Sequence, residues 1–512
     1  MRSTGAWLQA FRLRSASARL AAALAEAVRP ARVACVAALL LVPGAAFAGA
    51  STPLIDAVKN GDRAGVRARL QQKAEVDAPE PDGTTALHWA VRADDLELTR
   101  MLLRAGADAR HANRYGVTPL QLAAVNGSVT AAAALLEAGA DPNAVLPEGE
   151  TILMTAARTG QPDLLRLLLD RGAALEAREK WYGETALIWA VAENHADAAK
   201  ALLERGADVN VRSADLKFPR RRTGQSVLAL GSWTPLMYAA RENALEAARA
   251  LLASKADLNA TDPDGATALV IAIINANYDF AALLLDAGAD PNVVDNEAGM
   301  GPLYAAIDMH RLAIGHGRPN PRPSGRLDAL DIVKRLLDRK ADANAVLKAP
   351  MFQRHHTMGD FALAKGATPF MRAAKSGDVE VMKLLLAAGA DPTATMPNKA
   401  TALMFAAGLG WRDGSPAAPS YDQGTPEEAV QAIALLLDRG FDINAANDNG
   451  ETALHLAVTN RGAPEIVRFL IAKGANLKAQ NKRGQTPLAA AMASRKELGP
   501  LIEILKAAEA QR

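Results

Sequence analysis

A threonine returns along this chain at a nearly fixed step. It stands at Thr52, Thr85, Thr118, Thr151 and Thr185, then at Thr234, Thr267, Thr368, Thr401, Thr452 and Thr486. The first four steps are 33, 33, 33 and 34 residues. After nearly every one comes Pro or Ala, then Leu, two variable residues and Ala. A chain with such a period is expected to stack its copies in a row, each covering the apolar flank of the next, and not to gather around one centre.

One copy, residues 83–115, gives the local physics. Thr85 stands where a helix N-cap belongs, its hydroxyl able to accept from a backbone N–H with no partner in the first turn. The next position is Ala86 here and Pro119, Pro235, Pro369 or Pro487 elsewhere. Proline suits a first helical position because the N–H it lacks has no helical acceptor there. Leu87 and Ala90 face inward at helical spacing, and Leu98, Met101, Leu102 and Leu103 mark a second helix. Gly106 supplies a left-handed stop. The stretch beyond it, with Asp108, Asn113 and Gly116, reads as an extended finger with a turn.

This unit resembles the ankyrin repeat, and the pattern runs through essentially all of residues 52–512. Gly-Ala-Asp recurs at 106–108, 139–141, 206–208, 288–290 and 389–391, and His88 and His455 hold the histidine of the Thr-Pro-Leu-His motif. Elsewhere that slot is Gln121, Met154, Ile188, Met237, Val270 or Met371. The resemblance implies that the histidines tie neighbouring repeats by hydrogen bonds, and that apolar replacements trade polar ties for packing. Lys73, Lys255 and Lys340 stand where the stop glycine is expected, and a left-handed non-glycine costs roughly 1 kcal/mol. Gly301 replaces the anchor threonine in one copy. The expected fold is therefore an all-α ankyrin-repeat solenoid of about twelve helix-turn-helix units with β-hairpin-like fingers. Units start near 52, 85, 118, 151, 185, 234, 267, 301, 368, 401, 452 and 486, within a repeat region of 49–512. The second helix of the first unit is polar (Arg63, Arg67, Arg69, Gln71, Gln72) and the last unit ends in Lys506, Glu509 and Arg512, as terminal units with one wet face should.

The N-terminus differs in kind. Residues 1–32 carry Arg2, Arg12, Arg14, Arg19, Arg29 and Arg32 against Glu26 alone, Val33 to Val42 is uninterruptedly apolar, and Ala46-Phe47-Ala48 follows. The apolar run falls short of the ~20 residues a spanning helix needs. The order basic, apolar, A-x-A is that of a secretory signal peptide, residues 1–48, cut after Ala48. An uncleaved anchor is the alternative, and the long basic lead leaves the true translation start open. From 58 bases and 56 acids, removing six arginines and one glutamate leaves 52 and 55, so the net charge passes from +2 to −3. That balance gives no case for nucleic acid. The single cysteine, Cys35, departs with the leader.

Four insertions break the period and mark where individuality lies. One, about 212–231, enlarges a finger and contains Lys217, Phe218, Arg220, Arg221 and Arg222. A second, about 310–327, lies between the helices of one unit, with His310, Arg311, His316 and three prolines. A third, about 348–366, is again at a finger, with Phe352, Arg354, His355, His356 and Phe361. The fourth, about 410–426, contains Trp411 and Tyr421. The two finger insertions should project on one side, three units or roughly 25–30 Å apart, with a concave groove between and below them as the expected binding zone. Tyr115, Trp181, Tyr182 and Trp233 precede helix starts and read as fingertip anchors, since binding hot spots favour Trp, Tyr and Arg. Trp89 and Trp189 read as core. First-helix ends, among them Arg158, Arg241 and Lys375, read either as solvated ends or as read-out positions of the groove.

No G-x-S-x-G, H-E-x-x-H or Walker loop is present. Asp262-Pro263-Asp264-Gly265 and Asn447-Asp448-Asn449-Gly450 lack the remaining ligands of a calcium loop and read as finger turns. His310, His316, His355 and His356 could in principle serve a transition metal, but their insertions are expected on opposite edges. The expectation is a non-enzymatic scaffold without cofactor or metal, binding a protein partner. After leader cleavage it would be monomeric, with no inserted segment and no nucleic acid. Resemblance to bacterial arrays with such leaders implies the periplasm or secretion, and an accessory or regulatory role towards an exported enzyme is the alternative. An enzyme built from the insertions and a self-associating scaffold are the rivals.

Overall fold

The computed structural model describes residues 52–216, 230–311, 322–350, 362–411, 424–494 and 497–511. These form two compact bodies, one ending at Pro263 and one beginning at Asp264. The first holds six helix pairs: α1 (Pro53–Lys59) with α2 (Arg63–Gln71), α3 (Ala86–Arg92) with α4 (Leu96–Arg104), α5 (Pro119–Asn126) with α6 (Val129–Glu137), α7 (Ile152–Arg158) with α8 (Pro162–Asp170), α9 (Ala186–Ala192) with α10 (Ala196–Glu204), and α11 (Pro235–Glu242) with α12 (Leu245–Ala253). The second also holds six: α13 (Ala268–Ile274) with α14 (Tyr278–Asp286), α15 (Pro302–His310) with α16 (Ala329–Asp338), α17 (Pro369–Lys375) with α18 (Val379–Ala387), α19 (Ala402–Ala407) with α20 (Pro426–Leu437), α21 (Ala453–Leu456) with α22 (Pro464–Ala472), and α23 (Pro487–Met492) with α24 (Gly499–Ala510). The helix α21 runs on into a π-helical turn, Ala457–Arg461.

The recurring threonine explains where each pair begins. Thr52 accepts from Ile55 N at 3.2 Å, Thr118 from Gln121 N at 3.2 Å, Thr151 from Met154 N at 3.1 Å and Thr368 from Met371 N at 3.2 Å. Each hydroxyl thus serves one of the amides that a helix start leaves without a helical acceptor. Gly301 holds the same N-cap position with no side chain to accept. The second helices often start on a cap as well, at Asp62, Asp95, Ser128 and Asp378. Lys73, Lys255 and Lys340 do adopt the left-handed backbone of the glycines they replace, at φ 57°, 63° and 66°.

Within each body packing runs from each pair to the next. First helices pack on first helices (α3 on α5, α9 on α11) and second on second (α10 on α12). The buried positions are the Leu, Ala and apolar residues of the motif, such as Leu87, Ala90, Leu98 and Leu102. Each such leucine contributes roughly 1.5–3 kcal/mol. The terminal helices show the wet faces expected of them: α2 buries only Val66 and α24 only Leu501 and Leu505.

The two motif histidines do tie repeats. His88 Nδ1 accepts from Thr85 N at 3.2 Å and its Nε2 donates to Val117 O at 3.0 Å, 29 residues on. His455 repeats the pattern with Thr452 N and Gln485 O. Burial holds both rings below the ordinary histidine value, His88 at about 4. Gln121 keeps a polar tie without histidine, donating to Thr155 Oγ1 at 2.6 Å.

The fingers are hydrogen-bonded turns, and a regular strand pair among the described residues occurs only at β1 (Asp215–Leu216) with β2 (Leu230–Gly231), antiparallel. Neighbouring fingers are joined through the main chain: Arg114 N donates to Asp82 O, Lys180 N to Glu148 O, Asn296 N to Asp264 O, and Lys482 N to Asn449 O. Pro147 and Pro397, in the same register, have no N–H to give, and they lie against Gly116 and Gly366 instead.

The insertions leave and re-enter at closed necks. Leu216 pairs with Leu230 in register, and Leu347 exchanges bonds with Gly366 and Ala367. Between α15 and α16 the returning chain is held by Asp279, whose carboxylate accepts from Arg326 N and Leu327 N. After the break before α20, Gly424 O and Thr425 O accept from Arg461 at 2.7 and 2.9 Å. Arg220, Arg221, Arg222, Arg354, His355, His356 and His316 lie outside the described residues, as do the leader and its cleavage site.

Candidate protein-interaction surface

In the first body the fingertips carry exposed apolar side chains on three successive fingers: Tyr115 (46% exposed), Val145 (52%), and Trp181 (70%) with Tyr182 (49%). Their turns are fixed from beneath. Asn113 Oδ1 accepts from Tyr115 N and Val117 N, both at 3.0 Å. The buried Glu179 carboxylate accepts from Trp181 N at 2.6 Å, Tyr182 N at 2.7 Å and Glu184 N at 3.0 Å. Charge-assisted bonds of this kind are roughly twice as strong as neutral ones, so the rings are presented on a stiff base. Cations flank them. Arg114 donates to Pro81 O, Lys180 to Pro147 O, Arg178 to Gly183 O and Arg212 to Ser232 O and Thr261 O. None of the four pairs with a carboxylate among the described residues.

The first-helix face adds a second feature. Four residues beyond the anchor stand Trp89, Trp189 and Tyr238, in α3, α9 and α11. Trp89 and Trp189 are half-buried and not core as expected, whereas Tyr238 in the same slot is buried. The Trp89 indole N–H donates to Glu80 at 2.7 Å, with Lys59 Nζ 4.3 Å and the Arg92 guanidinium 5.1 Å from its ring. Trp189 has the Arg158 guanidinium at 5.5 Å. Arg158 pairs with Glu150 at 3.1 Å, and Glu150 also accepts from Thr155 Oγ1 at 2.6 Å. Burial raises the Glu150 carboxyl above its ordinary value despite the attraction of Arg158. Tyr238 hydrogen-bonds Glu184 and Ser213, and burial followed by the Glu184 charge pushes its phenol up.

Trp233 is not a fingertip anchor: it is 8% exposed. Its ring stands edge-on to Tyr238 at 5.6 Å, under the Arg241 guanidinium at 5.2 Å. It comes one residue before the anchor Thr234, in the slot of Glu150 and Glu184, and so turns towards the helices. Arg241 is half-buried and bonds Glu242 at 2.8 Å. Arg158 is also drawn in, so neither is a plain solvated helix end.

In the second body, Lys375 is buried at 3% exposure, contrary to its reading as a read-out residue. Around it the roots of two insertions are bolted together. Arg372 pairs with Asp308 at 2.7 Å, His310 with Asp378 at 2.7 Å and Arg311 with Glu428 at 2.7 Å. Burial pushes the Asp378 carboxyl up, but the hydrogen bond and charge of His310, with Arg311 behind, outweigh it and hold it below the ordinary carboxylate range. His310 is committed to Asp378, and no trio of His, Cys, Asp or Glu among the described residues is arranged to hold a metal. No helix among the described residues is long and apolar enough to cross a membrane.

Sequence reasoning missed Val145, Glu179 and Tyr238. The last was legible, since it shares its slot with Trp89 and Trp189.

Comparison with known proteins agrees with this architecture. A family model described as ankyrin repeats in three copies matches residues 54–145, 139–213, 221–295 and 325–413, and one described as ankyrin repeats in many copies matches 436–491. The Notch-regulated ankyrin repeat-containing protein of Xenopus laevis is 40% identical over 63 residues, which are 12% of this chain and 55% of that one. The chain thus spans about half the length of that relative. The crystal structure of the human ASB11 ankyrin repeat domain matches with a TM-score of 0.40 and 24% identity, over 47% of this chain and 100% of that chain. With family models matching most of its length, the chain belongs to the ankyrin-repeat family.

Proposed function

We propose that this protein is a non-enzymatic interaction scaffold, exported by its N-terminal leader, which grips a protein partner with the fingertips and first-helix face of its first body. The observation that carries the reading is the exposure of Tyr115, Trp181 and Tyr182 on braced turns with cations beside them, since large rigid rings of this kind anchor protein interfaces. Arg220, Arg221 and Arg222 lie in sequence between Leu216 and Leu230, in the finger that follows the one bearing Trp181 and Tyr182, and belong to the proposed surface. Arg354 and His355 of the other finger insertion remain candidates for a partner's second contact. Cleavage after Ala48 would deliver a monomeric, cysteine-free chain to the periplasm or beyond, where it serves an exported enzyme or another extracytoplasmic protein.

The test is capture of partners from a periplasmic extract by the secreted protein, its Trp181→Ala/Tyr182→Ala variant, and a variant lacking residues 217–229. Loss of the same partner from both variants supports the surface. Recovery by both removes the fingers from it. N-terminal sequencing of the exported protein, expected to begin at Gly49, tests the leader.

A further inference from the structure

In the second body, the finger that carries Asn476, Asn481 and Gly484 is open on one side. Elsewhere a fingertip carbonyl receives an amide of the next finger, as Asp82 O, Glu148 O, Asp264 O and Asn449 O do. The glycine after each of these carbonyls is closed over: a Cβ on Gly83, Gly149, Gly265 or Gly450 would stand 2.8–3.1 Å from the following finger. The matching pair here is Arg483 O and Gly484. A Cβ on Gly484 would meet nothing within 4 Å, and Arg483 O accepts no hydrogen bond among the described residues. A main-chain acceptor that other fingers use for joining is left facing outward.

The same finger has shed its negative charge. Residues 466–496 hold seven Lys and Arg and no Asp or Glu. The base slot that is Asp442 one repeat earlier is Asn476 here, and it makes the same bond: Asp442 Oδ1 accepts from Asn444 N at 2.8 Å, Asn476 Oδ1 from Lys478 N at 2.9 Å. The tip slot that is Glu179 or Asp295 in other repeats is Asn481, whose Oδ1 accepts from Arg483 N at 2.9 Å and Gln485 N at 3.1 Å. The turn therefore keeps its hydrogen bonds without a carboxylate. Lys478, Lys482 and Arg483 are exposed, and none pairs with an acid among the described residues. Asp448, on the preceding finger, is engaged by Lys399 at 3.7 Å. An open carbonyl among unpaired cations selects a ligand that brings both an N–H and negative charge. Phosphate groups bring the charge alone, whereas an acidic polypeptide brings both.

We propose that this finger docks an acidic segment of a partner protein, whose carboxylates meet Lys478, Lys482 and Arg483 and whose main-chain N–H donates to Arg483 O. The site is separate from the fingertips of the first body and does not rest on them. The test titrates the full-length protein with a fluorescein-labelled Glu-Ala alternating decapeptide, the same peptide with its alanine amides N-methylated, a Gln-Ala counterpart, and phosphatidylglycerol vesicles. The Glu-Ala peptide is expected to bind best and to weaken with added salt. Lys478→Gln/Lys482→Gln/Arg483→Gln should weaken it about 10-fold, and N-methylation about 3–10-fold. A charge-matched control on second helices of the first body, Arg166→Gln/Lys200→Gln/Arg249→Gln, should bind it like the parent. Equal losses in the two triple variants, undiminished binding of the N-methylated peptide, vesicles held more tightly than the peptide through the same three cations, or no binding of the Glu-Ala peptide would each overturn the proposal.

Discussion

Acidification should loosen the first body through His88, and the size of the effect follows from its geometry. The ring accepts from Thr85 N at Nδ1 and donates to Val117 O from Nε2, which requires the neutral tautomer. Burial holds its pKa at about 4, against an ordinary value of 6.5. The unfolded chain therefore takes up a proton before the folded one does. The stabilisation is complete above pH 6.5, falls as the pH drops, and is exhausted near pH 4. By linkage the loss is about 2 kcal/mol at pH 5 and about 3 kcal/mol at pH 4. His88→Met removes this titration without an alien residue, because Met154 fills the same slot and receives Thr151 N on its sulfur at 3.5 Å. At pH 7 the variant should be about 1 kcal/mol weaker for the lost tie to Val117. At pH 5 it should be the more stable of the two. Amide hydrogen exchange across residues 85–117, compared between parent and variant at each pH, isolates this term from the carboxylates, which titrate in both. Parallel losses in the two proteins between pH 7 and pH 5, or a ring titrating near 6.5 in the folded chain, would refute the reasoning.

Other perturbations give sharp outcomes. Lys73→Gly, Lys255→Gly and Lys340→Gly, at φ values of 57°, 63° and 66°, should each stabilise by about 0.5–1 kcal/mol in urea denaturation. Arg372→Met strips the 2.7 Å guanidinium partner from buried Asp308 and should cost about 3–5 kcal/mol, with much of it restored in the Asp308→Leu/Arg372→Met double variant. Trp181→Ala, at a side chain 70% exposed, should change the melting free energy by less than about 0.5 kcal/mol while weakening partner binding by about 2 kcal/mol. Glu179→Ala removes the acceptor of three fingertip amides and should speed their hydrogen exchange without unfolding α9.

The fold was legible because its signals are local. A threonine hydroxyl, a proline ring and a left-handed stop act within a few residues, so their order in sequence is their order in space. The exposed rings were legible too, since Tyr115, Trp181 and Tyr182 sit on turn residues three or four places before an anchor. Trp233 was misplaced because the finger insertion hid its register: one place before Thr234 is the slot of Glu184, not a tip. Lys375 was misjudged for a non-local reason. Its helix end resembles exposed ends elsewhere, but Gly410, at the edge of a distant insertion, lies beside its ammonium. The indole N–H groups of Trp189 and Trp233, buried with no acceptor among the described residues, had no sequence signal, because an absent hydrogen bond depends on every neighbour at once.

The joints between fingers include a main-chain bond from amide to carbonyl that no side chain supplies, beside the side-chain bonds of Arg114 and Lys180. The residue donating each joint can therefore be arginine, lysine or asparagine without altering the connection, and proline alone cancels it. A duplicated repeat arrives with its fastening already in place and its tip free to be rewritten. Recognition can then diverge copy by copy under selection while the lattice that carries it stays the same.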